Sequence, residues 1–198
     1  MDRATAGWRR QLRIDLLARR KIVPMEARRH AADIISHKLT QILDVACPTV
    51  VGIYWPINHE INLLPWARSL AQSDTVTLCL PVVVQSGAPL EYWRWTPETP
   101  MRPAVWNIPC PVEQCVVTPD LVLAPVVGFD PARYRLGYGG GYFDRTLAAM
   151  QRRSIAIGVG YDYAALDTIR PQPHDIPMDA ILTEQRSLLP AAWGLPTT

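Results

Sequence analysis

Four short apolar runs punctuate the chain beyond residue 48: Thr49–Tyr54 (TVVGIY), Thr75–Leu80 (TVTLCL), Leu121–Pro125 (LVLAP) and Ser154–Val159 (SIAIGV). Their length and β-branched content predict buried strands. Between them lie helix-compatible stretches. Asn62–Gln72 carries Pro65 in its first turn, and Tyr142–Arg152 turns Leu147 and Met150 inward. Strands alternating with helices predict an α/β fold. Its sheet is expected to be open and mainly parallel, flanked by helices as a Rossmann-like three-layer sandwich. Leu90–Trp95 alternates and reads as a further strand, and Ala180–Thr183 as a last short one. Thr96–Pro119 holds prolines at 97, 100, 103, 109, 111 and 119, which predicts irregular or extended surface chain. Val126–Gly141 reads as a loop.

Two helices are expected before the first strand. In residues 8–20, Trp8, Leu12 and Leu16 recur every fourth position with Leu17 beside them. Arg9, Arg13 and Arg20 form a neighbouring stripe. Pro24 suits the first turn of a second helix running to about Asp44, with Ala31, Ile34, Ile35, Leu39 and Ile42 on its core face. No repeat interrupts this order. A chain of 198 residues then reads as one domain over 1–198, with N-terminal helices at 8–44 and an α/β core at 49–185.

Composition excludes several classes. The longest nearly unbroken apolar run, Leu121–Phe129, is far short of the ~20 residues a membrane helix needs. No apolar stretch follows the first charges, so the expectation is a cytoplasmic protein. Cys47, Cys79, Cys110 and Cys115 show no CxxC spacing and read as reduced thiols. None of the four histidines sits in an HExxH pair, so a zinc site is not expected. Net charge is +2 but uneven: residues 1–38 carry +6 and the remainder −4. Such a basic arm suits nucleic acid, an anionic ligand or a solvated helix face. No nucleic-acid motif is visible.

The segment Arg135–Arg145 (RLGYGGGYFDR) places Gly137, Gly139, Gly140 and Gly141 between an expected strand and an expected helix. Glycine permits positive φ and close approach of backbone to a ligand. A helix start favours an anion, above all phosphate. The loop is neither a Walker A motif, having no Lys-Ser/Thr, nor GxGxxG. A tight connector using glycine for conformation alone is the competing reading. Asp144 either complements the helix dipole or, beside a phosphate, holds Mg²⁺. Arg135 and Arg145 suit phosphate or surface ion pairs equally.

A second candidate is Tyr54–Glu60 (YWPINHE), which follows the first strand to the same ligand-bearing edge. Glu60 either orients a polar ring or points to water. Trp55 and Trp106 either stack on a flat substrate or pack in the core.

The glycine segment resembles the signature of 5-formyltetrahydrofolate cyclo-ligases, also called methenyltetrahydrofolate synthetases. YWPINHEIN, WNIPCP, LVLAPVVGFD and HDIPMDAILTE resemble further blocks of that family in order, over roughly residues 8–185. The resemblance implies ATP- and Mg²⁺-dependent closure of 5-formyltetrahydrofolate to 5,10-methenyltetrahydrofolate, with release of ADP and phosphate. In the mechanism it implies, the formyl oxygen attacks the γ-phosphate and the second folate nitrogen then closes the ring. Carried onto this chain, Gly137, Tyr138, Gly139, Gly140, Gly141 and Tyr142 wrap the ATP phosphates. Arg9, Arg13 and Arg135 meet the nucleotide, and Asp144 holds Mg²⁺. Arg135, Tyr142 and Asp144 are the implied catalytic residues. Tyr54, Trp55, Glu60, Trp106 and Tyr142 form the implied reduced-folate site. The expected partners are small molecules, with neither nucleic acid nor membrane, and the chain is expected as a monomer or weak homodimer.

This chain departs from the family pattern at Arg9, often lysine, and at Phe143, usually a second tyrosine. It departs again at Ala164, near a usual glutamine, and at Cys110, usually glutamate. These departures leave a paralogue acting on another formylated or carboxylated acceptor as the alternative.

Overall fold

Alternate residues of a strand face opposite sides of its sheet, so a run that is apolar at every position must be covered twice. Leu121, Val122, Leu123 and Ala124 are all fully buried and meet that condition. The structure, a computed structural model, describes residues 3–73, 75–150, 152 and 154–193. Gln151 of the expected 142–152 helix and both ends of the expected 1–198 domain lie outside the described residues.

The elements in chain order are α1 (Arg3–Lys21), α2 (Met25–Ala46), β1 (Val50–Gly52), α3 (Leu64–Leu70), β2 (Thr77–Val82), β3 (Glu91–Trp95), β4 (Met101–Pro103), β5 (Pro109–Pro111) and β6 (Val116–Val117). They continue with β7 (Leu121–Pro125), β8 (Gly128–Phe129), β9 (Arg135–Leu136), α4 (Tyr142–Ala149), β10 (Ile155–Val159), β11 (Ala180–Leu182) and β12 (Ser187–Leu188).

The main sheet has the order β12-β11-β10-β7-β1-β2-β3-β6. Its centre, from β11 to β2, is parallel, and antiparallel strands close both edges. Leu78, Leu80, Val51, Leu121, Leu123, Ile157 and Leu182 face α2 and α3, where Ile35, Leu39, Ile42 and Ala67 pack on them. Cys79, Val122, Ala124, Ala156 and Ile181 face the opposite layer, which includes Leu16 of α1 and Phe143, Leu147 and Met150 at and just beyond α4. The result is the expected α/β three-layer sandwich with a mainly parallel sheet. Among the described residues no helix is long and apolar enough to cross a membrane. The four cysteines are unpaired: Cys47 and Cys115 are exposed, Cys79 and Cys110 buried.

Three features differ from expectation. The proline-rich stretch contains a small antiparallel pair, β4 with β5, and the edge strand β6. Pro103, Pro109 and Pro111 sit at strand ends, and Pro97, Pro100 and Pro119 lie outside the strands. The 126–141 connection contains a second antiparallel pair, β8 with β9. The buried residues of α1 are Thr5, Arg9, Leu16 and Arg20, so arginines expected beside the apolar stripe turn inward with it.

Candidate active site

Strands β1 and β7 are neighbours, but their chains leave in opposite directions. β1 continues through α3 to β2 on one side, and β7 through α4 to β10 on the other. The loops at their carboxyl ends must therefore part, leaving a crevice where open α/β sheets bind ligands. A cavity of about 810 Å³ lies there. It is lined by Arg9, Arg13, Tyr54, Trp55, Glu60, Trp106, Arg135, Gly137, Tyr138, Gly139, Gly140, Gly141, Tyr142 and Asp144. The residues singled out from the sequence thus share one cavity, although they come from four separated parts of the chain.

The glycine loop forms one wall. Gly139 has φ +97° and Gly141, which caps α4, has φ +64°, values that side chains beyond glycine rarely adopt. A Cβ on Gly139 would come within 3.3 Å of the Arg13 guanidinium carbon. Among the described residues, the backbone N–H groups of Gly139, Gly140 and Gly141 donate to no protein acceptor. Donors turned loose beside a helix N-terminus and three arginines make a cradle for an anion.

The arginines are held differently. Arg9 is buried and donates to the backbone carbonyls of Ile169 and Arg170, each at 2.9 Å, and to both oxygens of Asp175. It fastens α1 to the 169–175 loop. Arg13 donates from Nε to the Gly137 carbonyl at 2.7 Å. Among the described residues its two terminal nitrogens have no protein hydrogen bond, which leaves them for a ligand. Burial and the neighbouring Arg9 charge lower its pKa, with Asp175 opposing. Arg135 is buried, and its Nη2 lies 3.0 Å from Asp144 Oδ2. Burial lowers its pKa against the pull of Asp144. The other Asp144 oxygen accepts the Ile176 N–H at 3.2 Å. Asp175 sits below the usual carboxylate range. Burial alone would raise it, but the Arg9 hydrogen bonds, the Gln172 N–H and the Arg9 charge outweigh that. Arg145 lies outside the cavity lining, donating to the Gly140 carbonyl and stacking over Tyr142.

Glu60 stands on the opposite wall and is buried rather than solvated. Its Oε2 accepts the Ile57 N–H at 2.8 Å and its Oε1 accepts the Tyr138 hydroxyl at 2.9 Å. Burial pushes its pKa up to about 7, against the Ile57 N–H, the Arg20 charge and the Tyr138 hydroxyl. Arg20, 2% exposed, lies 3.8 Å from Glu60 Oε1 and donates to the Tyr138 hydroxyl at 3.2 Å and to the Val126 carbonyl.

Residues 5–184 match the 5-formyltetrahydrofolate cyclo-ligase family. The chain belongs to that family. It is 30% identical over 191 residues to the 5-formyltetrahydrofolate cyclo-ligase of Mycolicibacterium smegmatis, covering 90% of this chain and 95% of that one. It is 25% identical over 181 residues to the enzyme of that name from Haemophilus influenzae, covering 88% and 96%. Among solved structures it is similar to the 5,10-methenyltetrahydrofolate synthetase of Aquifex aeolicus, with TM-score 0.79, 27% identity, and 90% and 91% of the two chains covered. The fold is shared with the synthetase of Mycoplasma pneumoniae, with TM-score 0.74, 24% identity, and 89% and 98% covered. This chain is therefore an enzyme of the cyclo-ligase family.

In this cyclo-ligase the aromatic residues divide. Trp106 is 66% exposed, adopts φ +56°, and meets Tyr142 edge-on with ring centroids 5.6 Å apart. It stands at the cavity, not in the core. Trp55 lines the cavity while packing partly on the core. Tyr54 is buried and donates to the Ile61 carbonyl at 2.7 Å, so it shapes the wall through the backbone of its own loop. Phe143 lines the cavity under the Arg135 guanidinium, 5.1 Å from the ring centre. Ala164 and Cys110, the other two departures in the core, are buried and lie outside the lining. Sequence reasoning missed Arg20, Asp175 and His174, the last two also lining the cavity. The stripe Arg9, Arg13, Arg20 held the signal for Arg20. Nothing in the spacing of Asp175 marked it as the partner of a residue 166 positions earlier.

Proposed function

We propose that this enzyme closes 5-formyltetrahydrofolate to 5,10-methenyltetrahydrofolate with ATP and Mg²⁺, releasing ADP and phosphate. The observation that carries the reading is the juxtaposition of two unlike walls in one cavity. One has free backbone donors with Arg9, Arg13 and Arg135, and the other has Glu60 among aromatic rings. The first suits triphosphate oxygens through charge-assisted donors. The second suits a flat, polar, reduced pterin.

The chemistry needs alignment more than a covalent nucleophile. The formyl oxygen attacks the γ-phosphorus and ADP leaves. The second folate nitrogen then attacks the formyl carbon, loses its proton, and phosphate departs with the former formyl oxygen. Gly139–Gly141, Arg13 and Arg135 hold the phosphates. Tyr142 and Trp106 line the folate side. Glu60, with a pKa of about 7, is matched to accept the nitrogen's proton near neutral pH.

Among the described residues no group of three or more His, Cys, Asp or Glu is arranged to hold a metal. Mg²⁺ takes one or two carboxylates and completes its shell with phosphate and water oxygens. Asp144 would supply the carboxylate. The ion supplies charge neutralisation on the phosphates when bound.

Phe143 is the one of the three core departures that lines the cavity, and it packs with Arg135. No contact favours a different acceptor. The test is spectrophotometric: purified protein with Mg²⁺ and 5-formyltetrahydrofolate should develop the methenyl absorbance only when ATP is added. ATP binding with no such absorbance would move the reading to another acceptor.

A further inference from the structure

A side-chain hydrogen bond joins the two walls. Tyr138 belongs to the glycine loop by its backbone and to the Glu60 wall by its hydroxyl, which donates to Glu60 Oε1 at 2.9 Å. Helix α1 pins both ends of this link. Arg13 Nε holds the carbonyl of Gly137 at 2.7 Å, and Arg20 Nη1 donates to the Tyr138 hydroxyl at 3.2 Å. With its one proton given to Glu60, that hydroxyl is an acceptor toward Arg20, so the chain of donors has one consistent direction. Arg20 is itself anchored on the Val126 carbonyl at the end of β7. Its Nε has no partner among the described residues. Burying an arginine in this way costs free energy that a surface position would not. The half-exposed ring of Tyr138, by contrast, contributes little core packing.

We propose that Tyr138 and Arg20 are positioning residues that couple the two substrate subsites. Phosphates gripped by the Gly139–Gly141 N–H groups fix the loop, the loop fixes the Tyr138 hydroxyl, and the hydroxyl orients Glu60 for the folate. The same link works in reverse, since coupling between binding sites is reciprocal. Whichever substrate arrives second meets a site already ordered. This rests on the assignment of ATP and 5-formyltetrahydrofolate to the two walls.

The experiment is calorimetric titration of the full chain with Mg²⁺ and a non-hydrolysable ATP analogue, with 5-formyltetrahydrofolate, and with each in the presence of the other. Wild type should bind the second ligand about fivefold or more tightly once the first is bound. Tyr138→Phe keeps the ring and every backbone donor. It should lose the coupling between the two ligands, whatever its affinity for each alone.

A second readout needs no variant: amide exchange at Ile57, whose N–H is held by Glu60, should slow when the nucleotide analogue is added without folate. If wild type binds neither ligand, the substrate assignment fails and this inference with it. If both bind but independently, or if Tyr138→Phe couples them as well as wild type, the assignment stands and the inference is overturned. Unchanged Ile57 exchange with nucleotide bound overturns it too.

Discussion

Asp175 and Glu60 are both largely buried carboxylates, and each faces an arginine of α1, yet they are tuned in opposite directions. Arg9 reaches both oxygens of Asp175 and holds it below the usual carboxylate range. Arg20 stops 3.8 Å from Glu60 because its own donors go to Val126 and Tyr138, and Glu60 is pushed up to about 7. Burial raises both, but Glu60 is the more deeply buried, and of the two Asp175 alone has a direct, hydrogen-bonded ion pair. The glycine-loop wall is therefore built of fixed charge, and the opposite wall carries a group pushed toward a pKa of about 7.

The largest break in that contrast is expected at Asp144. Asp144→Ala removes the carboxylate that would share Mg²⁺ and leaves the buried Arg135 unpaired, a loss of about 3–5 kcal/mol in stability by analogy with other broken buried pairs. Asp144→Asn keeps one carbonyl oxygen, an acceptor for either Arg135 or the Ile176 N–H but not both, so stability should fall less than in the alanine variant. Turnover should nonetheless fall by about 10²–10³-fold, the scale of losing one transition-state contact. Urea unfolding beside the methenyl assay separates the two effects. An Asn variant with wild-type turnover would show that the carboxylate serves Arg135 alone.

Glu60→Gln tests the switchable wall. The folded pKa lies above the reference value of 4.5, at about 7. Between those values the unfolded chain gives up a proton that the native protein keeps. This group's contribution is thus fully present below pH 4.5 and is lost as pH rises to about 7. The loss across that window is roughly 3 kcal/mol for a shift of this size. Glutamine cannot ionise, so the variant should gain that amount relative to wild type between acid and neutral pH, while folate use worsens. Unfolding free energies of both proteins against pH check it; parallel curves would refute the raised pKa.

The contrast between walls was only half legible in the sequence. The sheet was readable because β7 and β10 are apolar at every position, and the glycine cluster marked its own loop. Both signals are local. Burial of Arg20 and the pairing of Arg9 with Asp175 depend on how α1 docks, and no local pattern reports docking. The β4–β5 pair was also missed. Its prolines argue against strand by propensity, and the register of Met101, Arg102 and Pro103 with Pro111, Cys110 and Pro109 across the turn reveals it.

A smaller effect is expected on the fixed-charge wall from Gly139→Ala. The added methyl forces φ +97° on a residue with a Cβ and presses on the Arg13 guanidinium. Strain of about 1–3 kcal/mol, expressed in the bound loop, should raise KM for ATP roughly tenfold. KM for the folate should move only as far as the Tyr138 link transmits it, so the ratio of the two changes measures how independent the walls are.

The smallest effect is expected at Trp106. Its ring is mostly exposed and its one aromatic contact is edge-on to Tyr142, so removing it empties no core. Trp106→Ala should leave the melting temperature within about a degree of wild type, as surface changes rarely exceed ~0.5 kcal/mol. The same ring placed over a bound pterin is worth about 0.5–1.5 kcal/mol, or a two- to tenfold rise in KM for the folate with KM for ATP unchanged. Residue 106 sits in the left-handed region, a strain an ordinary surface loop has no reason to keep for an exposed tryptophan. A variant with both KM values unchanged would mean that the strain is fixed by the β4–β5 turn alone. A rise confined to the folate would mean that the turn is shaped to present the ring.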